Sequence, residues 1–141
     1  MITTAAAWIA AIALLAIGLL HVVWAFSPWP FESTEIFVKS VFGAKDGAWP
    51  FPAALSAVMG LVIIVAAVVP LMVNDTVPQL GPSWMRTVAI YGLAVALLGR
   101  GLGGYAMNSG SAEEFSRLNS AVYSPLCIAL GLMVGVVALA N

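Results

Sequence analysis

Leu97-Leu98-Gly99-Arg100-Gly101-Leu102-Gly103-Gly104-Tyr105 sets an arginine inside a run of apolar and small residues that begins near Ser83. The run is long enough to cross a bilayer. A guanidinium keeps its charge at any accessible pH, and at membrane depth it is costly unless it snorkels to the surface or finds partners. Reading this stretch as a membrane helix that carries one charge fixes the class of the fold. What surrounds the charge is then the functional question.

Outward from that stretch, the composition is that of a membrane protein. Of 141 residues, 62% are hydrophobic and 8% charged, where a soluble domain carries roughly a quarter charged residues. The net charge of −1 and the absence of a basic tract remove the electrostatic footprint of nucleic-acid binding. The single cysteine, Cys127, cannot close an intrachain disulfide and says nothing about redox compartment. The expected fold is an all-α integral membrane protein, an antiparallel four-transmembrane-helix bundle with a short interfacial helix in the first connection. The expected organisation is a single membrane domain over residues 1–141, with spans near 5–26, 53–73, 83–107 and 121–140.

The first run is uncharged before His21, and it lacks the basic start and small-residue cleavage site of a signal peptide. It reads as a retained span with Trp8 and Trp24 as interfacial anchors. Ser27-Pro28-Trp29-Pro30 ends it. Residues 33–43 then predict a short helix with a Ser33 cap, a Gly43 stop and apolar positions 37, 38, 41 and 42 at helical spacing. Ser83 is a candidate N-cap for the third span, and Ser111-Ala112-Glu113-Glu114 matches a capping box that predicts a brief helix before the fourth. Gly92, Ala96, Gly99 and Gly103 form one small-residue stripe, and Ser124, Cys127, Gly131 and Gly135 form another. Lysine and arginine counts weakly favour a cytoplasmic position for residues 27–50. The expected location is the cell membrane, as a multi-pass protein of the bacterial inner membrane.

Depth locates the candidate site. Arg100 lies 16 residues past Trp84, about 24 Å along a helix, and so near the end of span three. His21 lies near the end of span one, and alternation of direction brings both ends to one face. The start of span four, with Arg117, Asn119, Tyr123, Ser124 and Cys127, arrives there too, beneath the longest connection. The candidate ligand-binding residues are therefore His21, Trp24, Arg100, Tyr123 and Ser124, with no metal site, no assigned catalytic residue and no identified cofactor. Each also has a plain structural reading: Arg100 snorkelling or bonded to loop carbonyls, His21 bonded to a neighbouring helix, Trp24 and Tyr123 as interfacial anchors. No Asp or Glu falls within a span, which disfavours a small proton-coupled exporter.

His21-Val22-Val23-Trp24-Ala25, a span-three arginine followed by glycine, and Arg117-Leu118-Asn119-Ser120-Ala121-Val122-Tyr123-Ser124-Pro125-Leu126-Cys127 together give the chain a family likeness. It resembles, over essentially its whole length, a bacterial family of small four-span membrane proteins catalogued as a domain of unknown function. The chain departs from that pattern at Gly101 to Tyr105, which is richer in glycine. The resemblance implies a fold and candidate positions, and no activity. Three functions stay open. One is binding of a lipid headgroup or small amphiphile by the polar cluster. Another is a non-catalytic accessory subunit or oligomeric scaffold, partnered by itself or other membrane proteins through the Gly/Ala stripes. The last is an enzyme acting on a lipophilic substrate, with His21 as base and Arg100 as oxyanion clamp.

Overall fold

In hydrocarbon a lone segment satisfies its backbone N–H and C=O groups only by closing them on itself, so the apolar runs become helices. The computed structural model describes residues 1–141 and contains helices and turns but no strand. The helices are α1 (Ile2–Val23), α2 (Thr34–Val41), α3 (Ala54–Val73), α4 (Ser83–Met107), α5 (Glu113–Leu118) and α6 (Ser124–Ala140). A π-helical turn over Asn119–Tyr123 joins α5 to α6, so Glu113–Ala140 is one continuous helix. That helix, α1, α3 and α4 are the four long and apolar enough to cross a membrane, and the chain is a multi-pass membrane protein.

The long helices associate as two antiparallel pairs. Between α1 and α3 the backbones nearly touch: a Cβ added at Gly60 would lie 2.6 Å from Gly18 O and 2.8 Å from Val22 N. At the far end of this pair Asn74 Nδ2 donates to Thr4 Oγ1 at 3.2 Å. Between α4 and α6, Gly101 faces Ile128 and Gly131 faces Leu98, and Tyr91 Oη donates to Ala138 O at 3.3 Å. The two pairs share a core in which Ala7, Ala10 and Ala11 of α1 meet Val134, Val137 and Ala138 of α6, with Ile90 and Ala94 from α4. The α1 and α6 residues that meet are alanines and valines, which suits a lipid-solvated protein whose helices associate by close packing.

The first connection folds over one end of the long helices. Ser33 Oγ accepts from Ile36 N at 3.2 Å to start α2, and Gly43, at φ +72°, takes the left-handed conformation that stops it. Phe37 and Val38 are buried. Phe37 packs on Trp24, Phe31, Phe42 and Trp49 with ring centroids 5.0 to 5.8 Å apart. On the outer surface of α2, Lys39 Nζ donates to Glu35 at 2.6 Å, which lowers the Glu35 pKa and raises that of Lys39. The pair's contribution fades as acid protonates Glu35 and again as alkali neutralises Lys39.

Three local expectations are corrected. Trp24 is no interfacial anchor: it is 6% exposed beneath α2, with Nε1 donating to Trp29 O at 2.9 Å. The capping box does not form, because Ala112 occupies the N-cap of α5 while the Ser111 hydroxyl donates backward to Met107 O. Pro82, not Ser83, precedes the first turn of α4. The short helix α5 runs through the π turn into α6 without a break, as Glu113–Ala140.

Candidate functional site

Arg100 reaches toward its own helix end. Its guanidinium lies over Gly104, one turn onward, where an added Cβ would collide with Arg100 Nη1 and Ser124 Oγ. A larger residue there would displace the Arg100 and Ser124 side chains from this arrangement. Nη1 and Nη2 each donate to Asn119 Oδ1 at 3.2 Å, and Ser124 Oγ donates to the same oxygen at 3.2 Å. Three donors thus converge on one amide oxygen. The amide nitrogen of Asn119 donates to Gly104 O at 2.6 Å and to Asn108 Oδ1 at 2.9 Å. Helix ends leave carbonyls without an intrahelical donor. At the end of α4 the Asn108 N–H turns to Tyr105 O, and the Asn119 side chain serves Gly104 O. Asn108 Nδ2 extends the network to Ser120 Oγ at 2.8 Å.

Sequence explains why Asn119 and Ser124 can share this site. Five residues along an ordinary α-helix turn through about 140° beyond one revolution, which would aim the two side chains apart. In the π turn Asn119–Tyr123 the repeat is lengthened toward five residues, and both face Arg100. Pro125 favours the wider turn, because its ring would clash with the Ala121 carbonyl in a regular helix and it has no N–H to give. Asn119 and Ser124 are fully buried, and Arg100 is half-buried.

Electrostatically the network is one-sided. The only ion pair in the protein is Lys39–Glu35, and every group bonded to Arg100 is neutral. Arginine has five N–H donors; two hydrogen bonds to Asn119 leave donors unused, on a side chain that is not sealed from its surroundings. The arrangement orients a cation and leaves it uncompensated, which is the chemistry of an anion clamp.

Arg100 and Ser124 meet through Asn119. Tyr123 projects from the same π turn, but its hydroxyl donates to Ser40 O of α2 at 3.2 Å and ties the first connection to the fourth span. His21 and Trp24 form a separate pair, with ring centroids 4.9 Å apart under the aromatic cap. His21 Nδ1 lies 2.8 Å from Ile17 O. A carbonyl only accepts, so that nitrogen carries the proton and Nε2 is the neutral ring's acceptor. No hydrogen bond joins His21 to Arg100, and no three His, Cys, Asp or Glu side chains come together. Asn119 and Asn108 were not among the sequence candidates. The available signal was an asparagine entering an apolar span five residues before a serine and six before a proline, a polar amide that must find partners if it is buried.

No curated protein and no solved structure matches the chain. A family model described as "Protein of unknown function (DUF3995)" matches residues 4–134, taking in all of the Arg100 network and the four long helices except their extreme ends. The chain belongs to this family.

Proposed function

We propose that the protein, in the cell membrane, holds the phosphate or carboxylate of a lipid headgroup or small amphiphile against Arg100. The observation that carries this reading is the uncompensated guanidinium, fixed by a buried amide and still holding free donors. Two-point recognition of an oxyanion is what such a fork does best. The test is lipid binding to the purified full chain, read by native mass spectrometry with phosphatidylglycerol and phosphatidylcholine. The wild type is expected to prefer the anionic lipid, and Arg100→Gln to lose about tenfold in that affinity. An Arg100→Gln protein of unchanged preference contradicts the proposal.

A second reading concerns partners. Of the α4 glycines, Gly101 and Gly104 are filled by α6 and the Arg100 network, while Gly92, Gly99 and Gly103 have nothing within 4 Å of an added Cβ. With Ala96 they make an outward stripe on α4, the surface by which a second copy would approach closely. Crosslinking in membranes is expected to give a dimer that Gly99→Leu and Gly103→Leu weaken. A crosslinking pattern indifferent to both substitutions removes self-association by this face.

A further inference from the structure

At the opposite end of the long helices lies a cavity of about 360 Å³ between the α3–α4 connection, the first turns of α4 and the end of α6. Arg86 lines it in the first turn of α4, some 21 Å along the helix axis from Arg100. The cavity belongs to the other face of the membrane and owes nothing to the Arg100 site. Its volume is at the small end of ligand pockets, about 300–1,000 Å³.

Two opposite charges line it without meeting. Arg86 Nη1 donates to Gly81 O at 2.8 Å and the rest of its guanidinium has no bond within the protein. Asp75 accepts from Gln79 on one carboxylate oxygen and leaves the other free. No ion pair joins Asp75 to Arg86. Each charge is instead tethered to a residue of the α3–α4 connection. The Ser83 hydroxyl, also at the wall, makes no hydrogen bond within the protein. Ile90 forms an apolar boundary, and Tyr91 is held by its bond to Ala138 O. A cation and an anion that line one small cavity without pairing match a ligand that carries the reverse charges on one small headgroup.

We propose that this cavity takes a phosphate linked to a primary ammonium, the chemistry of a phosphoethanolamine headgroup. Arg86 and Ser83 receive the phosphate, and the Asp75 carboxylate receives the ammonium. A carboxylate aimed at an N–H donor separates a primary ammonium from a trimethylammonium, which has no N–H to give. The same chemistry exists on a bilayer lipid and on the free headgroup.

Native mass spectrometry of the full chain, titrated in turn with phosphatidylethanolamine, phosphatidylcholine and soluble phosphoethanolamine, tests this. The wild type is expected to bind phosphatidylethanolamine about tenfold tighter than phosphatidylcholine. Asp75 sits at φ 54°, which asparagine also tolerates, so Asp75→Asn keeps the turn and is expected to erase that preference. Arg86→Gln is expected to weaken both lipids about tenfold and Arg86→Lys much less. Binding of phosphoethanolamine alone assigns the site to a free zwitterion, and binding of the diacyl lipid alone assigns it to the bilayer. Equal affinity for the two lipids, or an Asp75→Asn protein that keeps the preference, overturns the proposal.

Discussion

Replacing Asn119 with leucine is expected to cost about 3 kcal/mol of stability, or roughly 10 °C in Tm. The side chain is fully buried and occupies the junction of the network. Its oxygen accepts from Arg100 and Ser124, and its nitrogen serves Gly104 O and Asn108 Oδ1. Leucine fills similar space while leaving the Gly104 carbonyl and the Ser124 hydroxyl unpartnered and Arg100 without its acceptor. Such losses exceed the net worth of any one bond because each stranded group keeps its full desolvation cost. Thermal unfolding in mild detergent, followed by tryptophan fluorescence, measures it. Asn119→Asp makes the matching contrast: a carboxylate still accepts from Arg100 and now neutralises it. Its second oxygen faces Gly104 O and Asn108 Oδ1 with no N–H to give, so that variant is expected to lose stability as well as the preference for anionic lipid. An Asn119→Leu protein as stable as the wild type means that Arg100 does not depend on this amide.

The second large effect belongs to the α1–α3 interface. Gly60→Leu is expected to destabilise by about 2–3 kcal/mol, because its Cβ would meet Gly18 O at 2.6 Å and Val22 N at 2.8 Å. Those are backbone atoms, and backbone cannot step aside without moving α1. Gly99→Ala is the control, since nothing lies within 4 Å of its new methyl and alanine is the better helix former by about 0.8–1 kcal/mol. Denaturant titration of both variants is expected to lower the midpoint for the first and hold or raise it for the second. Equal midpoints would refute close backbone packing as what joins these helices.

The long helices were legible because hydrophobic length is a property of each segment alone. Span three reads through its arginine, since one charge near a helix end is bearable, and α2 reads from its Ser33 cap, Gly43 stop and apolar spacing. Arg100 and Ser124 meet near the end of α4 through Asn119. What joins them was not legible. Asn119 matters through a carbonyl on another helix and a turn widened by Pro125, and neither a tertiary partner nor a π turn has a periodicity to read. The same limit hid the sorting of the glycines. Gly99, Gly101, Gly103 and Gly104 look alike in sequence, yet Gly101 and Gly104 face α6 while Gly99 and Gly103 face outward. Ser111 misled for a related reason: its hydroxyl had a nearer acceptor at Met107 than the helix N-terminus it was expected to cap.

The central claim is that Arg100 is oriented by the protein and completed by an anion from the membrane. Carbon–phosphorus dipolar dephasing at the Arg100 ζ carbon tests it most directly. Arginine-labelled protein, with Arg86 and Arg117 replaced by lysine so that one signal remains, would be placed in hydrated phosphatidylglycerol bilayers. Charge-assisted hydrogen bonds put phosphorus about 4 Å from that carbon, so strong dephasing is predicted. It should vanish when Asn119→Asp supplies the missing charge. An Arg100 signal untouched by phosphorus in the wild-type network would contradict the account.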